Sequence, residues 1–259
     1  MKKIKKKKKK AKRIAGLTYN IEKKLLIKIA KRLPLFFTPD RLTLVALLAA
    51  FFTGLSYYLT NFSRWWLLVA SAFIILNWFG DSLDGTVARV RKITRERYGY
   101  YVDHILDMVA VFFILFGLGL SQGMNMLWAL ALILLYYLVS INTFLAAYTQ
   151  GKFKFAFGKI GPTEVRLILI ITNIIFFFLN FQFLNIGGTV FALWDIFAII
   201  AICMLIYGFL AGFFENLRYL DKIDKKTYKE MSVEEALRKN QFIKSLKETD
   251  VGKFLTQRI

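Results

Sequence analysis

The sequence has very little of the chemistry that builds disulfide frameworks and zinc sites. Its 259 residues include one cysteine, Cys203, and one histidine, His104. A single cysteine excludes a disulfide framework within the chain, and without a Cys/His cluster no zinc site is predicted. Acidic residues are also few, because 17 Asp and Glu stand against 37 Lys and Arg, a net charge of +20. This basic balance raises two possibilities, binding to nucleic acid or contact with an anionic membrane surface.

Many of the basic residues lie near the N-terminus. The first 33 residues contain 15 Lys or Arg and a single acid, Glu22. Residues 1–16 are interpreted as a disordered tract, whereas residues 17–41 carry an apolar stripe at every fourth position, which predicts an amphipathic helix on the membrane surface. A soluble helix packed on a domain is the alternative. Because a membrane span follows, we expect anionic lipids as partners of this arm and no nucleic acid.

The composition is too apolar for an ordinary soluble domain, since 57% of the residues are hydrophobic and 26 are Phe. Six apolar stretches approach the ~20 residues that a helix needs to cross a bilayer. They cover residues 42–60, 65 to beyond 79, 99–120, 124–148, 164–184 and 191–214. The predicted fold is therefore an all-α membrane protein, with six transmembrane helices preceded by an amphipathic juxtamembrane helix. The spans form a six-helix transmembrane domain over residues 42–217, followed by a tail, 218–259, with a short helix or a disordered end.

The charges of the loops predict the orientation of the spans. Residues 121–125 and 180–189 contain no Lys or Arg, whereas residues 89–97 carry five basic residues and residues 152–166 carry four. Loops rich in Lys and Arg remain on the cytoplasmic side of a membrane. We therefore expect a multi-pass protein with both termini and the 89–97 loop in the cytoplasm.

One acidic stretch lies between apolar runs. Asp81 and Asp84 are three residues apart, and Asp103 and Asp107 are four apart, so each pair shares one face of a helix. Four carboxylates at membrane depth cannot simply ionise side by side, because like charges and poor solvation both oppose it. One or two bound divalent cations resolve this conflict, and ligands that are all oxygen favour a hard ion such as Mg²⁺ or Mn²⁺.

The same stretch resembles the signature of a known family. From Asp81 to Asp107 the residues read D-x2-D-G-x2-A-R-x9-G-x3-D-x3-D, which resembles the CDP-alcohol phosphotransferase family of membrane enzymes. The resemblance implies a metal-dependent transferase that moves a substituted phosphate from a CDP-linked donor to an alcohol or lipid acceptor and releases CMP, in phospholipid synthesis. It also implies two divalent cations and a homodimer. Both CDP-diacylglycerol and a CDP-amino alcohol stay open as the donor.

The resemblance further implies roles for individual residues. Asp81, Asp84, Asp103 and Asp107 would bind the metals, and Asp107 would also act as general base on the acceptor hydroxyl. Arg89 would meet the pyrophosphate of the donor, as a cation meets an anion. The residues implied in donor binding are Gly85, Ala88, Arg89, Gly99, Pro39 and Thr43.

The remaining candidates are interpreted from their positions. His104 lies ~100° around the helix from Asp103, off the metal face, which favours a packing role. Arg89 and His104 are the cations expected beside the aspartates. The loop 151–166 places basic residues before a helix start, which is typical of an anion site for the acceptor, with ordinary positive-inside charge as the alternative. Its candidate acceptor-binding residues are Lys159, Glu164 and Arg166.

Two other classes of function compete with the enzyme. A transporter or ion-pathway protein would explain acids inside the membrane. It would not explain Gly85, Ala88, Arg89 and Gly99 at these spacings. A basic membrane-anchored binding protein would explain the lysine tract and leave the acidic motif without a role. The transferase is therefore the preferred interpretation.

Overall fold

The computed structural model describes residues 19–150, 162–179, 183–186 and 189–248. The basic tract 1–16 and Lys159 lie outside these residues. The described residues form seven helices and an antiparallel hairpin of two short strands. The helices are α1 (Tyr19–Arg32), α2 (Pro39–Leu59), α3 (Trp66–Val90), α4 (Glu96–Gly119), α5 (Met126–Gln150), α6 (Pro162–Leu179) and α7 (Leu193–Glu248). The strands are β1 (Phe183–Ile186) and β2 (Thr189–Ala192).

Six of the described helices, α2 to α7, are long and apolar enough to cross a membrane. They follow the amphipathic helix α1, which confirms the predicted all-α membrane fold. The first four predicted spans agree with the observed helices to within a few residues. The fifth was predicted to continue to residue 184, but α6 ends at Leu179 and the hairpin begins at Phe183.

Helix α7 is much longer than the sixth predicted span. It has 56 residues and ends at Glu248, whereas the span was expected to end near residue 214. Residues 213–248 contain neither Gly nor Pro, so the polar part of the sequence has no strong helix breaker. Ion pairs one turn apart support it, such as Asp221 with Lys225 at 2.8 Å. The chain divides into two compact units, Met1–Phe209 and Leu210–Ile259.

Helix α1 packs against the protein along one side. Leu26 and Ala30 are buried in an apolar cluster with Leu83 and Val87 of α3. The predicted stripe at every fourth position includes Leu25, Ile29 and Leu33. Leu25 is 48% exposed, whereas Ile29 and Leu33 pack, partly buried, against the same cluster. One side of the stripe is therefore covered by an apolar surface of α3 that the sequence pattern could not locate.

Helices α2, α3 and α4 approach each other closely at glycines. A Cβ added to Gly117 of α4 would overlap the backbone of Gly54 in α2, and one on Gly54 would overlap the carbonyl of Phe113. A Cβ on Gly80 of α3 would lie 2.7 Å from the Leu42 carbonyl oxygen of α2. Small residues allow backbones in a membrane to pack this closely. These crossings bring the acid-bearing parts of α3 and α4 to the same side of α2.

Buried polar groups join helices away from the acids. Asn173 of α6 accepts a hydrogen bond from the Tyr57 hydroxyl at 3.1 Å and donates one to Ser71 of α3 at 3.1 Å. Asp195, which is 3% exposed, accepts from the backbone N–H groups of Asn125 at 2.7 Å and Ala192 at 2.9 Å. Asp195 therefore caps the start of α7.

The α2–α4 crossing generates a prediction about stability. We expect Gly117→Ala to lower the free energy of unfolding by about 1–3 kcal/mol, the usual cost of overpacking, because the new methyl group meets the backbone of Gly54. Thermal unfolding in detergent micelles measures the change. Gly99→Ala is the matched control for stability, since its added Cβ meets no other segment of the described residues within 4 Å. Equal melting temperatures for the two variants would contradict the close crossing.

Candidate functional site

The four aspartates of the motif come together between α3 and α4. Oxygen atoms of Asp81, Asp103 and Asp107 lie within 4.8 Å of one another. A small cavity of about 20 Å³ is lined by these three residues and by Asp84. A space of this size holds about one water-sized species. The structure therefore brings together all four predicted ligands, with three of them in the tightest group.

Asp84 is held by hydrogen bonds to both oxygens of its carboxylate. The Thr43 hydroxyl of α2 donates to Asp84 Oδ2 at 2.7 Å, and the backbone N–H of Gly85 donates to Oδ1. Gly80, one turn earlier on α3, permits the close approach to α2 that makes the Thr43 contact possible. Thr43, predicted as a donor-binding residue, thus lies beside the acid cluster.

Arg166 is the cation that pairs with the cluster. Its Nη2 lies 2.8 Å from Asp81 Oδ2, and both side chains are largely removed from solvent, with 17% and 25% exposure. Arg89 and His104 are the cations predicted beside the aspartates, whereas Arg166 is predicted only on the acceptor side. His104 does lie near the cluster, with its Nδ1 3.6 Å from Asp103 Oδ2, but the ion pair of Arg166 with Asp81 was not predicted. Since Arg166 is 85 positions from Asp81 in sequence, no local spacing could have signalled this ion pair.

Within the described part of the chain, Arg166 is the arginine or lysine that forms an ion pair with the cluster, and one such charge cannot neutralise four carboxylates. The cluster lies in helices that cross the membrane, where unpaired charge is costly. Carboxylate oxygens grouped around a small cavity are the ligands that hard divalent cations prefer. The residues therefore fit a divalent metal centre, on the grounds of their donor chemistry and their spacing.

The residues implied in donor binding line one large cavity with the acids. This cavity has a volume of about 1720 Å³. Arg89 donates to the Thr86 hydroxyl at 2.9 Å, and its Nη1 is the nearest atom, at 3.3 Å, to a Cβ built on Gly85. Around Gly99 the space is open. The other donor-binding candidates on the cavity wall are Pro39, Thr43 and Ala88.

The edge of the cavity near the start of α2 carries an ion pair that sequence analysis did not predict. Asp40 and Arg95 form a hydrogen-bonded salt bridge, and the Arg95 guanidinium also lies 4.1 Å from the centre of the Tyr98 ring. The hydrogen bond from Arg95 to the Asp40 carboxylate raises the pKa of Arg95. The pair joins the α3–α4 connection to the first turn of α2, beside Pro39.

Apolar side chains form a large part of the cavity wall. Those on α5, α6 and the first part of α7 include Leu132, Leu169, Trp194 and Met204. The cavity therefore combines an acidic end with an extended apolar surface. A cavity of this kind can hold a molecule with both a polar head and hydrocarbon chains.

His104 also faces this cavity, packed between two aromatic rings. Its ring lies 4.1 Å from that of Tyr100 and 5.1 Å from that of Phe144, centre to centre. Its Nδ1 is 3.6 Å from Asp103 Oδ2, beyond direct hydrogen-bonding distance. The packing role is consistent with these contacts. Tyr136 of α5 lines the cavity as well, and no motif in the sequence indicated it.

Comparison with known proteins places the chain among enzymes of lipid synthesis. The sequence model of a family described as CDP-alcohol phosphatidyltransferase matches residues 36–210. No curated individual protein matches the chain closely enough to count as a relative. The family match covers more than half of the chain, including the acidic motif, helices α2 to α6 and the first part of α7. The chain belongs to the CDP-alcohol phosphatidyltransferase family.

Proposed function

We propose that this protein transfers a substituted phosphate from a CDP-linked donor to the hydroxyl group of an alcohol, with release of CMP. The observation that carries the proposal is the group of Asp81, Asp103 and Asp107, whose oxygens lie within 4.8 Å at the acidic end of a large, partly apolar cavity. Phosphoryl transfer depends on positioning and on stabilising negative charge, and such a site is suited to both.

The four aspartates would hold two divalent cations, Mg²⁺ or Mn²⁺. When bound, these ions would neutralise the charge that develops on the phosphate oxygens. Thr43 holds the carboxylate of Asp84 in one orientation, through the 2.7 Å hydrogen bond. Arg166 holds that of Asp81 in the same way. The protein thus orients two of the four ligands with side chains from other helices.

The donor would lie along α3 and the first part of α4. Gly85 and Gly99 leave the backbone accessible. In the part of the chain that the structure describes, a Cβ on Gly85 would meet the Arg89 side chain, and one on Gly99 would have open space around it. Arg89 would bind the pyrophosphate through its guanidinium group, whose planar fork suits phosphate oxygens. Pro39, Thr43 and Ala88 would complete the donor site.

Asp107 would act as general base. In the reaction the oxygen of the acceptor hydroxyl forms a bond to the phosphorus of the donor's substituted phosphate. The bond from that phosphorus to the CMP oxygen breaks, and Asp107 takes the proton of the acceptor hydroxyl. Glu164 and Arg166, with Lys159 from the preceding loop, would bind the acceptor. The apolar walls support a lipid as one of the two substrates. The basic 89–97 loop supports a cytoplasmic location of the site and both termini.

The proposed reaction can be tested with a panel of substrates. Purified protein is incubated with Mg²⁺ or Mn²⁺ and with CDP-diacylglycerol or CDP-ethanolamine, each combined with polar alcohols or diacylglycerol. We expect CMP and a new phospholipid from one class of pair, detected by mass spectrometry, and no CMP in the presence of EDTA. Absence of CMP from every pair would refute the proposal and favour the transporter alternative.

Substitution of individual aspartates should separate metal binding from proton transfer. Asp84→Asn removes a charged ligand, so we expect both Mn²⁺ affinity and activity to fall. Asp107→Asn retains an amide oxygen that can coordinate a metal, but it removes the proton acceptor, which alone typically costs ~10²–10⁴-fold in rate.

Calorimetric titration with Mn²⁺ and with the donor, alongside CMP release, measures these effects. Asp107→Asn should retain more metal and donor binding than Asp84→Asn and yet form almost no product. Near-normal turnover of Asp107→Asn would show that the base lies elsewhere, and His104 would be the next residue to test.

Arg89→Lys tests the donor site. Lysine keeps the charge but loses the bidentate fork, and a hydrogen bond between charged groups is worth ~1.5–3 kcal/mol, so KM for the donor should rise roughly 10- to 100-fold. KM for the acceptor should change much less. Arg97→Lys, an exposed residue outside the cavity lining, is the matched control. An effect confined to the acceptor would contradict the assignment.

A further inference from the structure

A carboxylate outside the aspartate motif joins three helices close to the site. Glu22 of α1 accepts hydrogen bonds at Oε1 from Trp78 Nε1 at 3.1 Å and from the Ser82 hydroxyl at 3.2 Å, both on α3. The Thr163 hydroxyl, in the first turn of α6, donates to the same carboxylate and lies 3.4 Å from each of its oxygens. Glu22 also lines the large cavity. Its side chain therefore connects a surface helix to two membrane helices.

Helices α3 and α6 run antiparallel and contact each other at two levels. At one level Asn173 donates directly to Ser71, at 3.1 Å. At the other level Arg166 pairs with Asp81, at 2.8 Å. From the first level to the second, residue numbers rise from 71 to 81 along α3 and fall from 173 to 166 along α6, as the antiparallel arrangement requires. The second level lies at the acid cluster.

Glu22 bridges the two helices at this second level. Ser82 directly follows Asp81 in α3, and Thr163 is three residues before Arg166, so Thr163 and Arg166 share a face of α6. The Asn173–Ser71 contact needs no third helix, whereas the Ser82 and Thr163 hydroxyls meet through the carboxylate of α1. Without that carboxylate, α6 would lose the hydrogen bonds that hold it against α3 next to the Arg166–Asp81 pair.

We infer that Glu22 is a positioning residue, which ties α1 to the first turn of α6 and thereby holds Arg166 on Asp81. This role rests on the proposed function, in which Arg166 binds the acceptor alcohol. Through Arg166, acceptor binding would depend on a residue of α1. Glu22 need not touch either substrate. Its effect on the reaction passes through Arg166.

Steady-state kinetics with the donor and alcohol that the substrate panel identifies test this role. We expect Glu22→Ala to raise KM for the alcohol roughly tenfold, less than the ~10²-fold that a misplacement of about 1 Å can cost, with little change in KM for the donor. Glu22→Gln keeps an acceptor oxygen for Trp78 and Ser82 and should restore most of the affinity. In an Arg166→Ala background, Glu22→Ala should have no further effect, because the two residues act in series.

Asn173→Ala is the matched control for a purely structural effect. It removes the α3–α6 contact at the level away from the acids, so it should lower the melting temperature and leave the ratio of the two KM values unchanged. If Glu22→Ala behaves in the same way, or if its effect adds fully to that of Arg166→Ala, the inference is wrong.

A distance measurement tests the geometry independently of catalysis. Spin labels replace the exposed Ile75 of α3 and either Leu167 or Ile174 of α6 in full-length Cys203→Ser protein, in vesicles of phosphatidylcholine and phosphatidylglycerol. Glu22→Ala should broaden the distribution of distances between labels 75 and 167 and leave the distribution between labels 75 and 174 unchanged. In Glu22→Gln the 75–167 distribution should be as narrow as in the wild type. An unchanged 75–167 distribution overturns the inference even in an active enzyme. If the wild type forms no CMP but the distances respond as expected, the proposed reaction fails and the positioning of α6 by Glu22 stands.

Discussion

The crowding of negative charge inside the membrane is the constraint on which the rest of the structure depends. Asp81, Asp103 and Asp107 bring oxygens within 4.8 Å of one another in a region where water cannot solvate them freely. Repulsion between like charges opposes this arrangement, and helix propensity does nothing to offset it. The pairing of Arg166 from α6 with Asp81 offsets part of this repulsion, and the oxygen ligands of the cluster are suited to divalent cations. The arrangement therefore favours binding of an ion over an empty, fully charged state.

Close packing of backbones makes this crowding possible. Gly54 and Gly117 bring α2 and α4 into backbone contact, and Gly80 does the same for α2 and α3. Membrane helices gain no hydrophobic free energy by leaving lipid for each other, so short separations at small residues supply much of the attraction. The same short separations bring Thr43 within 2.7 Å of Asp84. Packing and site geometry thus have a common origin in these glycines.

Helices distant in sequence complete the site. The motif supplies the acids and the open backbone at Gly85 and Gly99, while α6 supplies Arg166 and α1 supplies Glu22. The exposed side of α1 carries lysines that suit an anionic membrane surface, and its buried side packs on α3. Helix α1 thus connects its exposed basic side to the residues around the acids, through Glu22.

The sequence by itself determined the class of the protein, because hydropathy and spacing are local properties. The apolar stretches placed six spans, and the positions from Asp81 to Asp107 identified the family and the four acids. The continuation of α7 to Glu248 was not predicted, because its polar half has helix propensity but no regular recurrence of apolar residues. Tertiary structure alone decided that Arg166 pairs with Asp81, 85 positions away, and that Glu22 meets Thr163, 141 positions away. Such contacts depend on the crossing angles and register of packed helices, which no short stretch of sequence encodes.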